Sequence, residues 1–308
     1  MKAAIDIGTN TVLLLIAEVS SSLIKVIHEE QRVPRLGKGV DNSKLLHPDS
    51  IERVLNCIKE YQQIILNDYS EVDEIVITAT SAVRDAQNKK EFIQLVKEET
   101  GLQIQLLSGD EEAKYTFDGA ISVLNVQDKD ALFVIDIGGG STEIALGTKK
   151  GISVFHSFDM GSVRYKERFM MHNPPYSEEI FECKEEIRRL FSKKKFKVPK
   201  NVEAIGVAGT ATSLAAIDLQ LDEYENERLN KHVISREKLS KSIEIFSLHT
   251  YDQLLELSPI LLKGREDIFL TGLLILEGFM KFYHLEEIKV STGGIRHGAL
   301  LMNKKDQN

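Results

Sequence analysis

The chain predicts an α/β fold made of two similar halves, and three observations carry that reading. Strand-like apolar runs alternate with helix-like amphipathic segments along its whole length, the pattern of sheets covered by helices. The tetrapeptide Ile-Asp-Ile-Gly stands at residues 5–8 and again at 135–138. A length of 308 residues fits about two domains of ordinary size.

The elements follow in order. Ala3–Ile7 and Val12–Val19 read as two strands joined by the turn Gly8-Thr9-Asn10-Thr11. Leu23–His28 reads as a third strand. From Leu46, the residues Ile51, Val54, Leu55, Ile58, Tyr61, Ile64 and Ile65 recur at helical spacing. Glu74–Thr78 is a strand, Lys89–Glu99 a helix opened by the capping pattern Asn88-to-Glu91 and closed by Gly101, and Gln103–Leu107 another strand. Glu111–Leu124 is a helix. The second half restarts at Ala131 with Leu132–Ile137, the turn Gly138-Gly139-Gly140-Ser141-Thr142, and a return run over Ile144–Leu146. Further strands are expected at Ile152–Phe155, Ala204–Val207 and Lys289–Val290. The division therefore falls at about 125/126, residues 1–125 against 126–308, with Asn125–Asp130 as the hinge. The last helix, about residues 296–308, is free to pack back on the first half.

Composition narrows the class. With 42% hydrophobic and 28% charged residues, the chain is globular in composition. The longest apolar stretches, Thr11–Ala17 and Ile268–Leu276, fall well short of the ~20 residues that span a bilayer. No secretory signal is visible at the N-terminus, so a cytoplasmic protein without membrane association is expected. Cys57 and Cys183 have no metal-type spacing and read as buried thiols in a reducing compartment. A net charge of −8 disfavours nucleic acid and draws no polyanion at long range. The densest basic cluster is Lys193, Lys194, Lys195, Lys197 and Lys200, preceded by Arg188 and Arg189; the bland alternative is a solvated helix end.

Each repeated hairpin has an acid, Asp6 or Asp136, at the end of its first strand and a tip of small hydrogen-bonding residues. Such tips, Gly8 to Thr11 and Gly138 to Thr142, offer N–H groups and hydroxyls to phosphate oxygens. The neighbouring acid suits a hydrated Mg²⁺, which takes one or two carboxylates plus phosphate oxygens. One copy alone would pass for an ordinary turn; two copies 130 positions apart (136 − 6) favour function. Glu143, just past the second tip, is electrostatically poor beside a phosphate unless a cation intervenes, which again points to Mg²⁺. Ser108 and Glu111 form a capping-box pattern, so Glu111 serves its own helix. Glu112 points about 100° away around the helix and is not needed there. Its alternative is a first-turn acid favoured by the helix dipole. Arg84, at a strand's carboxyl end, suits a phosphate chain. Gly209, Thr210 and Thr212 follow a strand and open a helix, another anion site, with plain N-capping as the alternative.

Six segments together resemble the exopolyphosphatase/guanosine pentaphosphate phosphatase family: Ala4 to Thr11, Ala79 to Arg84, Ser108 to Ala113, Val134 to Glu143, Gly209 to Thr212 and Gly293 to Arg296. They occur in the family's order, over nearly the whole chain, and match its short form. His297 departs from the pattern, since many members carry an acid after the Arg. The resemblance implies two actin-like (ribonuclease H-like) domains with mixed sheets flanked by helices and a ligand cleft between them. It implies release of terminal orthophosphate from inorganic polyphosphate, guanosine pentaphosphate or both. The water-activating acid falls on Glu112, with Asp136 and Glu143 near the metal and Asp6 as a further metal ligand. The cofactor is Mg²⁺, with a monovalent cation left open. Arg32, Arg35 and Arg265 join Arg84 as phosphate-binding candidates, each with a surface ion pair as its alternative. A homodimer is plausible for such a chain. The competing functions are a small-molecule kinase of the same superfamily and a non-catalytic regulator that binds polyphosphate or alarmone.

Overall fold

The structure is a computed structural model and describes residues 1–20, 24–124, 126–127 and 130–302. Leu23, expected to open the third strand, and Asn125, Asp128 and Lys129 of the expected hinge lie outside the described residues, as do positions 303–308. The chain forms two compact units: Met1–Ser122 joined by the chain from Gly293 onward, and Val123–Thr292.

The first unit contains β1 (Lys2–Ile7), β2 (Val12–Val19), β3 (Ile24–Arg32), α1 (Val40–Ser43), α2 (Pro48–Asp68), β4 (Glu74–Ala79), α3 (Ser81–Asp85), α4 (Lys89–Thr100), β5 (Gln105–Leu106) and α5 (Gly109–Ser122). The second contains β6 (Ala131–Ile137), β7 (Thr142–Thr148), β8 (Gly151–Phe158), α6 (Ser162–Phe169), α7 (Ser177–Lys193), β9 (Val202–Val207), α8 (Ala208–Asp218), α9 (Asn226–Leu229), β10 (Val233–Ser235), α10 (Arg236–Ser247), α11 (Tyr251–Leu257), α12 (Phe269–Phe282) and β11 (Glu287–Val290). The final helix, α13 (Ile295–Leu301), belongs to the first unit.

Both sheets are mixed and share one plan. The first has the order β3-β2-β1-β4-β5 and the second β10-β11-β9-β6-β7-β8. In each, an antiparallel three-strand meander continues into parallel strands: β1 pairs with β4 and β4 with β5, as β6 pairs with β9 and β9 with β11. Read from the meander outward, the sheets superimpose in order, and β10 is an extra edge strand. The central strands β1 and β6 are buried along almost their whole length, as expected of strands covered on both faces.

Differences from the sequence reading have local causes. The strand β3 runs four residues past His28 because its polar end, His28 to Arg32, pairs with β2 as a sheet edge. The expected strand Gln103–Leu107 shrinks to the two residues of β5. The Asn88 cap does not form. The Asn88 side chain instead accepts from the Leu46 N–H at 2.9 Å and donates to the Leu46 carbonyl at 3.0 Å, which fixes Leu46 in the core ahead of α2. Tyr61 of α2 is fully buried, and its hydroxyl donates to the Val12 carbonyl at 2.9 Å.

The second unit centres on Phe133, whose ring lies 4.8 Å from both Phe279 and Tyr283. Helix α12 is apolar nearly all round and is a core helix. Its one buried acid, Glu277, is paired with Lys184 at 3.0 Å and Lys281 at 2.8 Å. Among the described residues no helix is long and apolar enough to cross a membrane. Cys57 and Cys183 are both free and buried, on α2 and α7.

Helix α13 is held in the first unit by close backbone approach to α5. A Cβ on Gly119 would stand 2.0 Å from the Gly294 carbonyl oxygen, and one on Gly298 would stand 2.0 Å from that of Tyr115. Arg296 adds a bond to the Leu14 carbonyl at 2.7 Å and an ion pair with Glu29 at 3.0 Å. Next to it His297 is 1% exposed, and its Nδ1 has no hydrogen-bond partner among the described residues. Burial, helped by the Arg296 charge and opposed by Glu29, pushes its pKa down to about 4.

Two outcomes follow from this helix. Gly119→Ala should cost ~1–3 kcal/mol by overpacking the α5–α13 crossing, read as a lower denaturant midpoint. The His297 imidazole binds its proton less readily folded than unfolded, so the unfolded chain takes up more protons between pH 6.5 and about 4. Stability is therefore complete above that window and is lost as pH falls through it, by up to roughly 3 kcal/mol. Urea denaturation across this range should show the loss in the parent protein and a much flatter profile in His297→Leu.

Candidate functional site

In the first unit, the β1–β2 turn is closed by the Gly8 N–H donating to the Thr11 carbonyl at 2.9 Å. The loop after β3 wraps this tip: Arg35 N–H donates to the Asn10 carbonyl at 3.0 Å and Gly37 N–H to that of Thr9 at 2.8 Å. Arg35 makes its contact with φ at 53°, a left-handed conformation unusual for a side-chain-bearing residue. Thr9 and Ser81 share a hydroxyl–hydroxyl bond of 3.0 Å, which ties the tip to α3. Asp6 is 6% exposed, and its Oδ1 accepts from the Thr78 hydroxyl at 2.8 Å across the β1–β4 register.

The two neighbouring acids of α5 separate cleanly. Glu111 closes the capping box: its Oε2 accepts from the Ser108 N–H and hydroxyl, both at 2.8 Å, while its own N–H donates to the Ser108 hydroxyl at 3.2 Å. Glu112 takes no part in that box through its side chain. It is 4% exposed, and its Oε2 accepts from Arg84 Nη1 at 2.8 Å. The same nitrogen donates to the Leu107 carbonyl at 3.1 Å, so Arg84 joins α3, the end of β5 and the first turn of α5. Arg32 lies in an ion-pair group with Glu30 and Glu60, its guanidinium 5.7 Å from the Tyr61 ring centroid.

The second unit repeats the turn closure, Gly138 N–H donating to the Ser141 carbonyl at 3.0 Å. Here helix α6 braces the tip from behind. The carbonyl of Gly138 accepts from Ser162 N–H, that of Gly139 from the N–H groups of Val163 and Arg164, and that of Gly140 from Arg164 Nε at 2.6 Å. A Cβ on Gly161 would stand 2.4 Å from the Gly139 carbonyl oxygen, so only glycine lets helix and tip meet. With three successive tip carbonyls engaged by α6, the glycine turn is fixed in one shape. Thr142 donates from its hydroxyl to the Met160 carbonyl. Ser141 is 1% exposed, and its hydroxyl has no hydrogen-bond partner among the described residues, a donor suited to a ligand oxygen.

Asp136 and Glu143 are directly opposite each other in the β6–β7 register, and both are buried. Opposed residues on adjacent strands project to the same face, about 4.5–5.5 Å apart at Cβ, and like charges there repel. Ser157 donates to Glu143 Oε1 at 2.6 Å, which offsets part of that cost. Two carboxylates are also the number that a Mg²⁺ ion takes alongside phosphate oxygens, so the pair has the donor set to hold one. The first hairpin lacks this pair, because Asp6 stands opposite Leu13.

After β9, Ala208 opens α8 with φ at 60°. The Arg265 guanidinium lies directly over Gly209, whose Cβ, if present, would be 1.4 Å from Nη1. Arg265 and Gly209, far apart in sequence, are therefore neighbours at the start of α8. Thr212 bonds back to the Ala208 carbonyl at 2.9 Å, and neither it nor Thr210 caps the helix through its side chain. The sequence reading missed Arg164, Thr78 and Ser157, the partners of the second tip, of Asp6 and of Glu143. The Gly161-Ser162 pair after a strand was the available signal for α6.

Similarity to known proteins bears on the family and the fold. Residues 15–306 match the Ppx/GppA phosphatase family. The chain is 34% identical to a bifunctional 3-dehydroquinate synthase/phosphatase of Fusobacterium nucleatum, over 98% of this chain but 46% of that protein, so it spans about half of that relative's length. It is 30% identical to exopolyphosphatase 2 of Mycobacterium tuberculosis, covering 97% of both chains. The crystal structure of the Aquifex aeolicus Ppx/GppA family member superimposes with a TM-score of 0.82 at 28% identity, covering 99% of this chain and 98% of that one. With its two mixed sheets in the actin-like arrangement and a family match over nearly all of its length, the chain belongs to the Ppx/GppA phosphatase family.

Proposed function

We propose that the protein releases terminal orthophosphate from inorganic polyphosphate, guanosine pentaphosphate or both, using a water activated by Glu112. The observation that carries the reading is the separation of Glu111 from Glu112. Glu111 is consumed by the cap, whereas Glu112 is buried, paired with Arg84, and its side chain stands outside the Ser108–Glu111 capping box. Its family relatives include an exopolyphosphatase of the same length class.

Cleaving a phosphoanhydride needs an aligned water, neutralised charge on the transferred group and a stabilised leaving phosphate. Glu112 takes the water proton, and Arg84 fixes the plane of its carboxylate. The tips Gly8–Thr11 and Gly138–Thr142 bind phosphate oxygens through N–H groups and hydroxyls, with Ser141 contributing its buried Oγ. Arg265, lying on Gly209 at the start of α8, adds positive charge. Asp136 and Glu143 would hold Mg²⁺, with Asp6 as a further acid of the same kind. Bound there, the metal would supply charge neutralisation to the phosphate oxygens. Phosphate release by the purified protein from polyphosphate and from guanosine pentaphosphate, with Mg²⁺ varied, tests the proposal; release from neither would overturn it.

Glu112→Gln should leave the fold intact and lower turnover ~10²–10⁴-fold. Its mirror, Glu111→Gln, should cost roughly 1 kcal/mol of stability with activity largely retained. Phosphate release and denaturant unfolding, measured on both variants, check the pair; the opposite pattern would reverse the assignment.

Asp136→Asn and Glu143→Gln should each raise the Mg²⁺ concentration needed for half-maximal rate, because each removes charge from the opposed pair. Without Mg²⁺ both should be at least as stable as the parent, since removing one charge relieves the repulsion. An unchanged Mg²⁺ midpoint in both variants would leave the two acids a structural role only.

A further inference from the structure

A groove of about 540 Å³ lies wholly within the first unit, and no residue of the hairpin tip lines it. Its size is that of ordinary ligand clefts, ~300–1,000 Å³. One wall is β4 from Glu74 to Ile77 and another is the chain from Gln103 to Gln105. Helix α5 at Tyr115 and the end of α13 complete it.

The wall formed by β4 is an unfinished sheet edge. Strand β5 pairs with β4 only at Thr78 and Ala79. On that edge the Ala79 carbonyl accepts from the Leu107 N–H at 2.9 Å. Backbone groups alternate between the two edges of a strand, so Ile77 and Ile75 face the same way as Ala79. Among the described residues no backbone group meets the N–H and carbonyl of Ile75, or the N–H of Ile77, from that side. Ile77 is 2% exposed, and a buried N–H without a partner is costly.

The other sheet edges are guarded. Strand β3 carries Lys25, Glu29, Glu30 and Arg32, and the β2–β3 and β7–β8 ladders each contain a register shift. In the second unit β10 closes the flank that corresponds to β5, by pairing antiparallel with β11. The first unit has no such strand among the described residues, and Ile75 to Ile77 carries neither charge, proline nor register shift.

The walls also define what fits. Their charges cancel: Lys2 pairs with Glu74 at 2.9 Å, Glu111 is taken by the Ser108 cap, and Lys114 lies one turn before Asp118. Both sides of the open edge are apolar. Ile104 packs in one cluster with Ile75 and Ile77, and Tyr115 and Ala299 pack in another with Val76.

We infer that this edge accepts an extended, uncharged segment of a partner protein, rich in β-branched residues, which adds as a strand along Glu74–Ile77. Main-chain bonds to Ile75 and Ile77 hold the segment, and its alternate side chains fall on the two apolar walls. Four residues of open edge, ~13 Å, set its length. The site is independent of the phosphohydrolase reading and stands or falls without it.

The probe is the peptide acetyl-Thr-Val-Thr-Val-Thr-amide. Its control is N-methylated at every residue, which keeps the side chains and removes the donors. Amide hydrogen exchange of the full chain, read residue by residue by NMR, should slow at Ile75 and Ile77 about tenfold or more at saturating peptide. The control should leave both amides unchanged. Gln103 is exposed, so Gln103→Trp narrows the mouth without entering the core. It should weaken peptide binding about tenfold at an unchanged urea midpoint, whereas Lys114→Gln should bind as the parent does. No slowing at Ile75 and Ile77 at millimolar peptide would overturn the strand site. Equal binding of the N-methylated control would overturn it as well and assign the groove to a small apolar ligand. Loss of binding in Lys114→Gln, with Gln103→Trp unaffected, would assign it to an anion. Concentration-dependent dimers that the peptide disperses would overturn the separate partner and give the edge to a second copy of the chain.

Discussion

Each unit is built around a carboxylate that ends an otherwise apolar, almost fully buried strand. A buried acid is costly unless its oxygens are satisfied, so the surroundings of Asp6 and Asp136 are constrained before any ligand arrives. The two units meet that constraint differently. Beside Asp6 the parallel neighbour β4 supplies the Thr78 hydroxyl. Beside Asp136 the equivalent position on β9 is Val207, and the antiparallel neighbour brings a second acid, Glu143. The first unit thus places a hydroxyl beside its acid, whereas the second places another carboxylate there. That asymmetry, arising from the residue types at two matching sheet positions, gives the halves of one repeat different chemistry.

Much of this was legible because it is local. The hairpins, their tips and the Glu111 cap depend on residues within a few positions of one another, and the structure forms them at the expected places. The unread parts involve partners distant in sequence. Asn88 resembles a helix cap, yet an unpaired backbone at Leu46, 42 positions earlier, captures its side chain. Arg265 lies over Gly209, 56 positions apart (265 − 209), a closeness that no periodicity encodes. Arg164 looks like any helical arginine until α6 is seen to end against the glycine turn. Such residues are chosen by tertiary packing, which single-chain patterns do not record.

Strain is placed near the same loops. Arg35 and Ala208 adopt left-handed backbone conformations without being glycine, one wrapping the first tip and the other opening α8 beneath Arg265. Conformations of this kind cost of order 1–3 kcal/mol and persist only where surrounding contacts impose them. The contacts are visible in both cases: the Arg35 N–H bond to Asn10 and the guanidinium packed on Gly209.

The position of α13 has a consequence for how the molecule is made. The first unit is assembled from the opening 122 residues and from a helix that follows the whole of the second unit. Its Arg296–Leu14 bond joins residues 282 positions apart. During synthesis, therefore, the half that emerges first from the ribosome has to wait, with the face of α5 that receives α13 uncovered, until the half that emerges second has been translated. Contacts of such high sequence separation form late and slowly. The second unit, contiguous from Val123 to Thr292, is the part equipped to fold as a single uninterrupted stretch and so to guide the last helix home.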